Sequence, residues 1–370
     1  MTSLGKYLGS GLIVLAAMQV SASATTKGHH SKPVAQAKSA THKPAAKPAI
    51  PAPAYLRDRI DALGRGFDGR VGIAVRSIDK GWETGWRDNE LYPQQSVSKL
   101  WVSITALDAV DRRRVALSDR VTLTKSDLTL FHQPIADEVL KDGSFTTTLD
   151  DLLVRAITTS DNTANDKLMR SVGGPSAVRS MIARKGLGAI RFADGERAMQ
   201  SKIAGLAWSS AYSVNGNFFD ARDRLPAKVR SAAFNRYIAD PYDGAAPKAI
   251  VNALAALKRG ELLSPASTAK LLDVMSHTHT GPNRLKGGLQ PGWTLSHKTG
   301  TGQELGGVQA GYNDIGILMA PDGKSYSVAV MIKKTSTPLP VRMTLMNNVV
   351  EAVIEQHDRE HGGGLASRRR

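Results

Sequence analysis

The order of two hydrophobic periodicities limits what this chain can fold into. Stretches of strand character fall near its two ends, the Val/Ile-rich Arg70–Ile78 and then Trp82–Trp86 on one side, Trp293–Lys298, Tyr312–Met319 and Tyr326–Lys333 on the other. Between them run segments at helical spacing: Lys99–Arg112, Leu149–Ile157, Thr163–Val172, Pro175–Lys185, Pro247–Lys258 and Pro265–Met275. Val341–His357 reads as a closing helix, and Pro321-Asp322-Gly323-Lys324 as the hairpin turn between the last two strands. There is no βαβ rhythm and no internal repeat. The pattern predicts an α+β fold: an antiparallel sheet made from N- and C-terminal segments and flanked by helices, with an all-helical middle subdomain.

The two termini differ from this globular stretch. Lys6 precedes an apolar run, Leu8–Val20, and Ala22-Ser23-Ala24 follows, the layout of a secretory signal peptide over residues 1–24. Residues 25–54 are Ala, Pro and Lys-rich and cannot build a core, so they read as a disordered tether; His29 and His30 within it read as solvated. The globular domain is expected over 55–360, and 361–370 as a basic tail ending in Arg368, Arg369 and Arg370. The formal charge of +16 is therefore misleading. Lys27, Lys32, Lys38, Lys43 and Lys47 have no acidic neighbour in the tether, and three arginines close the tail. Such lysines suit weak contact with an anionic cell envelope; a nucleic-acid reader is not expected, since no recognition helix or stacking pattern accompanies the charge. The expected location is outside the cytoplasm, periplasmic or secreted, and the expected state a monomer. The absence of cysteine removes thiol nucleophiles and cysteine-zinc sites. His277-Thr278-His279 lacks further ligands, so no metal and no cofactor are expected.

Chemistry is suggested first by Ser96-Val97-Ser98-Lys99. Helix positions three apart share a face, so Lys99 can reach the Ser96 hydroxyl, and a serine becomes a nucleophile once a base takes its proton. The spacing alone is weak, because Ser3/Lys6, Ser77/Lys80 and Ser267/Lys270 repeat it. Only Ser96 has company in the right order: Ser160-Asp161-Asn162 before one helix, and Lys298-Thr299-Gly300-Thr301-Gly302 at the end of a strand.

This sequence of motifs resembles the penicillin-recognising serine hydrolases, most closely class A β-lactamases. The resemblance extends through Leu149–Gly174 and from Asp243-Gly244 to Gly302, and on into Gly311–Ile317. It implies that Ser96 attacks an amide carbonyl and becomes acylated, with its own N–H and that of Thr301 holding the oxyanion. It implies that Lys298 and the Thr299 hydroxyl bind a substrate carboxylate, and that Ser160, polarised by Lys298, passes a proton to the departing nitrogen. Asn162 would anchor Lys99 and the substrate's acylamide side chain. Gly300 and Gly302 would let the strand edge lie close to a ligand.

Deacylation separates the members of the family. Glu196, 36 positions beyond Ser160, lies close to where class A enzymes carry the glutamate that activates water, although Met199 and Gln200 replace the family's Leu and Asn. Gln200 could still hold a water through its amide. Ser201–Asp240 is longer than the usual class A stretch and reads as an enlarged loop or helical pair beside the site, serving extra packing rather than binding. Phe131 and His132 fall near the family's aromatic position at the cleft mouth. The leading expectation is an exported serine β-lactamase. The alternatives are a D-alanyl-D-alanine peptidase, or a penicillin-binding sensor that acylates and then stalls.

Overall fold

The computed structural model describes residues 50–362. The expected signal peptide, most of the tether with its two histidines, and the terminal arginines lie outside the described residues. Among those described, twelve α-helices run in chain order as α1 (Ala54–Gly66), α2 (Lys99–Asp111), α3 (Ile135–Asp142), α4 (Leu149–Thr158), α5 (Asn162–Ser171), α6 (Gly174–Arg184), α7 (Glu196–Ala204), α8 (Asn217–Asp223), α9 (Ala227–Ala239), α10 (Pro247–Lys258), α11 (Pro265–Ser276) and α12 (Leu339–His361). The strands are β1 (Arg70–Ser77), β2 (Glu83–Trp86), β3 (Tyr92–Pro93), β4 (Arg120–Thr124), β5 (Ser144–Thr148), β6 (Gly244–Ala245), β7 (Thr294–Thr301), β8 (Glu304–Leu305), β9 (Val308–Gln309), β10 (Tyr312–Met319) and β11 (Ser325–Lys334). None of the described helices is long and apolar enough to cross a membrane.

Five strands form one antiparallel sheet in the order β2-β1-β11-β10-β7. Residues from the two ends of the domain therefore meet in one layer, as the two strand-like zones of the sequence predict. Period-two alternation sends Val71, Ile73, Val75, Val328, Val330 and Ile332 to one face, where Leu56 and Ile60 of α1 and Val349, Val350 and Val353 of α12 cover them. Ala74, Ala329, Met331, Ile315 and Ile317 point the other way, into a second core shared with α2, α4, α5 and α10. With both faces covered, the strands read as nearly continuous apolar runs rather than clean alternation.

Helix α2 is buried on every side, including Leu100, Trp101, Ile104 and Leu107, which makes it the rigid axle of the helical half. The edge strand β7 faces the start of this helix. It runs three residues past the predicted end at Lys298, so the Lys-Thr-Gly-Thr stretch is itself strand, paired to β10 with Thr301 opposite Tyr312. The extended region does contain a helical pair, α8 and α9, preceded by a short 3-10 turn at Ser210–Ser213. It builds two small apolar clusters of its own, Met199, Ile203, Phe234, Tyr237 and Ala310 in one, Leu130, Ala204 and Phe218 in the other. Ahead of α1, Ala52 is buried and Pro51 bridges Glu83, so ordered packing begins a few residues before position 55.

Candidate active site

Four elements meet at a cleft of about 370 Å³ lined by Ser96, Phe131, His132, Ser160, Asn162, Gln200, Thr280, Arg284, Thr299, Thr301, Gly302 and Gln303. Ser96 sits in a 3-10 turn, Gln95–Ser98, that leads directly into α2. Lys99 is the first residue of α2 and is fully buried. Its ammonium lies 2.8 Å from Ser96 Oγ and 2.5 Å from Glu196 Oε1. One cation thus joins the half-exposed hydroxyl to a buried carboxylate. The two other described Ser-x-x-Lys pairs are accounted for elsewhere: Lys80 pairs with Glu360, while Ser267 bonds Asp111 and Lys270 bonds Asp150.

Ser160-Asp161-Asn162 divides its work. Asp161 caps α5, accepting the Ala164 N–H at 2.8 Å, and also takes the Ile135 N–H at 2.7 Å, which ties α3 to α5. Burial pushes its carboxyl above the usual range. Ser160 sits at φ 63°, an uncommon conformation for a non-glycine residue, and its Oγ accepts from Lys298 Nζ at 3.0 Å. Lys298 is fully buried; burial first, and the neighbouring Lys99 second, hold its ammonium well below the ordinary lysine range. Phe131 (φ 61°) and Gln95 (φ 53°) share this strained region, so three of the six described non-glycine residues at positive φ flank one cleft.

The loop glutamate is at the start of α7. Asp166 Oδ1 accepts the Glu196 N–H at 3.1 Å, satisfying a first-turn donor of that helix. Burial, then the charge of Glu196, push the Asp166 carboxyl up to about 6. Its folded pKa lies above the unfolded 3.8, so the ionised group opposes folding above about pH 6, and that penalty disappears as pH falls below 4. Asp166→Asn keeps an oxygen for the Glu196 N–H and removes the charge. It is expected to stabilise the protein at pH 8 by on the order of 2–3 kcal/mol. Thermal melts at pH 8 and pH 4 check this; a variant that melts no higher than the parent at pH 8 contradicts it.

Several expectations are corrected. Gln200 does not offer a free amide to a water: Nε2 donates to Glu196 Oε2 (3.1 Å) and to Gln95 Oε1 (2.9 Å), and Oε1 accepts from Gln303 Nε2 (3.0 Å). Its side chain orients the glutamate. Asn162 donates to Leu130 O at 2.7 Å, and the hydrogen bonds of the Lys99 ammonium run to Ser96 and Glu196 instead. Gly300 and Gly302 make room for the protein's own backbone: a Cβ at these positions would stand 2.3 Å from Gln94 O and 1.7 Å from Ala310 O. The extended region, by contrast, packs beside the site as its length suggested. Phe218 meets the cleft residue Phe131 edge-on and Phe219 meets it at a tilt, with ring centroids 5.0 and 5.9 Å away.

Other residues at the site carry no motif. Arg284 donates to Thr301 Oγ1 (2.6 Å), Asn313 O (2.7 Å) and Gly300 O (3.1 Å), and lies over the Tyr312 ring, which aims a guanidinium along the cleft wall. Thr280 Oγ1 is 2.6 Å from Thr299 Oγ1. The strained Gln95, one residue before Ser96, is held by Asp243 and Tyr237: Asp243 Oδ2 accepts its N–H at 2.6 Å, and Tyr237 OH accepts from its side chain and donates to Asp243 Oδ1 at 2.9 Å. The β3–β6 pairing, with Pro93 opposite Gly244, brings Asp243 to this point. Burial raises the Asp243 carboxyl to about 6.

Comparison with known proteins agrees with this geometry. A model of the Beta-lactamase enzyme family matches residues 55–357. The chain belongs to that family. It is 28% identical over 281 residues to a β-lactamase of Bacteroides uniformis, covering 75% of this chain and 82% of that one. It is 27% identical to the extended-spectrum β-lactamase PER-1 of Pseudomonas aeruginosa, with 76% and 80% covered. Among solved structures, the TLA-1 extended-spectrum β-lactamase superposes with a TM-score of 0.67 at 27% identity, covering 80% of this chain and 96% of that one. An ancestral class A β-lactamase gives 0.64 at 27% identity, covering 81% and 99%. This family member is a hydrolase of the class A β-lactamase type, and the α+β fold expected from the sequence is the fold it has, except that the middle subdomain is not all-helical: β4 and β5 pair within it.

Proposed function

We propose that this enzyme is an exported serine β-lactamase that opens the β-lactam amide through an acyl-enzyme on Ser96. The observation that carries the reading is the single buried ammonium shared between Ser96 Oγ and Glu196 Oε1. In acylation, Ser96 Oγ attacks the ring carbonyl carbon while the Lys99–Glu196 pair receives its proton. The C–N bond breaks, and the departing nitrogen takes a proton from Ser160, which Lys298 polarises across 3.0 Å; the proton taken from Ser96 is handed on from the Lys99–Glu196 pair to Ser160, which leaves Glu196 ionised for the next step. Arg284, Thr299 and Thr301 supply a cationic and hydroxyl lining that suits a substrate carboxylate, with Lys298 buried behind Ser160. In deacylation, Glu196 takes a proton from water, the water oxygen adds to the ester carbonyl, and Ser96 leaves with a proton returned through Lys99. Gln200 and the Asp166 contact to the Glu196 N–H keep the carboxylate in place for that step.

A peptidase or a stalling sensor on this fold needs no such carboxylate beside the nucleophile's lysine, which is why hydrolysis with turnover is favoured. Mixing the purified enzyme with a penicillin, following ring opening by absorbance and weighing the protein by intact mass, tests this. Hydrolysis with no lasting adduct is expected; a persistent adduct with no turnover would move the enzyme to the stalling class. Export is tested by fractionating cells that express the full chain. A mature form beginning after Ala24, outside the cytoplasm, is expected.

A further inference from the structure

At the other end of the sheet a second group of side chains converges. Asp322 lies in the hairpin turn between β10 and β11, and His357 and His361 stand one helical turn apart on α12. Each offers one ligand atom, and all three atoms lie within 4.8 Å of one another. His357 Nε2 is 3.7 Å from Asp322 Oδ1, too far for a hydrogen bond and close to the spacing of roughly 3.3–3.5 Å that ligands adopt around a tetrahedral ion. The two imidazoles lie nearly parallel, with centroids 4.3 Å apart.

We propose that Asp322, His357 and His361 bind a divalent transition-metal ion of the zinc or nickel class. Metal-binding histidines are commonly oriented by a hydrogen bond at the ring nitrogen away from the ion, and both rings have one. His361 Nδ1 is 2.9 Å from the His357 carbonyl. A carbonyl only accepts, so Nδ1 is the donor there and Nε2 is the ring atom left for an ion. His357 Nδ1 is 3.0 Å from the Tyr326 hydroxyl, and Tyr326 is itself wedged against Trp293 and Trp82 in the core. Burial holds the His357 imidazole below its ordinary range, toward the neutral form that ligates. The Lys324 backbone N–H holds the Asp322 carboxyl below the usual range, so it is anionic. Asp322 and His361 are exposed, which leaves the ion an entry path and a water a coordination position.

The site is remote from catalysis. Along β10 it lies beyond Met319, whereas the cleft is beside Tyr312, roughly 23 Å away at strand rise. An ion there would pin the end of α12 to the β10–β11 turn. The test uses the full chain, stripped with EDTA and dialysed, then titrated by calorimetry with zinc chloride or nickel chloride alone. One equivalent is expected to bind, with a rise of a few degrees in melting temperature at saturating metal. His361→Ala and Asp322→Asn alter exposed residues and should each weaken binding by at least about tenfold, with melting in EDTA unchanged. No saturable binding overturns the proposal. So does undiminished binding by both variants, which would place the ion on other residues such as His29 and His30.

Discussion

Ser96→Ala is expected to abolish penicillin hydrolysis and to show no mass change after exposure to the drug, whereas Glu196→Ala is expected to gain one ring-opened penicillin and keep it. The first loses the hydroxyl that Lys99 bonds, and kcat/KM should fall by about 10⁴-fold or more, as it does when a nucleophile is removed from a coupled catalytic unit. The second keeps Ser96, Lys99, Ser160 and Lys298, which supply attack, carboxylate binding and protonation of the leaving nitrogen. What it lacks is the carboxylate that deprotonates water, so the ester outlives the measurement. Intact-mass spectra over minutes to hours, beside absorbance traces of ring opening, separate the two. Glu196→Gln should behave as Glu196→Ala, because an amide cannot take the proton. If Glu196→Ala turns over like the parent, another group activates water. If Ser96→Ala still acquires the drug, the nucleophile lies elsewhere.

The split between what could be read from sequence and what could not follows the length scale of each interaction. Ser96 and Lys99 are legible once the two later motifs single them out, because helical spacing brings the pair together and the 2.8 Å bond follows. Lys298 was legible as the end of a strand and Ser160 as the start of a helix, although only the resemblance placed them in one pocket. Ser160-Asp161-Asn162 serves the fold and the site together: the Asp caps α5 while its two neighbours line the cleft. The supports for the nucleophile left no local signal. Gln95 is bonded to side chains 142 and 148 positions away, and nothing near it in the chain requires its positive φ. Tyr237 reads as one more apolar residue of a helix until the fold buries its hydroxyl between Gln95 and Asp243. Gln200 misled for a related reason. Its family position suggested a water ligand, but three other side chains, all distant in sequence or a turn away, use up its amide first.

Gly302→Ala is expected to be among the most damaging single-methyl additions in the domain. Its backbone is not in the left-handed region, so alanine meets no conformational penalty there and space alone decides. The added Cβ would stand 1.7 Å from Ala310 O, 2.9 Å from Ala310 C and 3.2 Å from Gln95 Cδ. The first two are backbone atoms and no rotamer can relieve them. Gly302 N also donates to Gly311 O at 2.8 Å, and its carbonyl accepts from Gln309 Nε2 at 2.5 Å, so the clash must break one of these bonds or push β7 away from its neighbours. Either movement reaches the site twice, through Gln95 beside Ser96 and through Gln303, which holds Gln200. A loss of about 3 kcal/mol or more is expected, read as a fall of roughly 6–10 °C in melting temperature with a parallel fall in kcat. Gly66→Ala is the matched control. Gly66 is the last residue of α1, has no positive φ, and has nothing within 4 Å of the added methyl, so alanine there should be neutral or stabilising by about 0.5–1 kcal/mol. If both variants melt with the parent, the close approach of β7 to Ala310 is not as drawn, and the placement of Thr301 at the cleft goes with it.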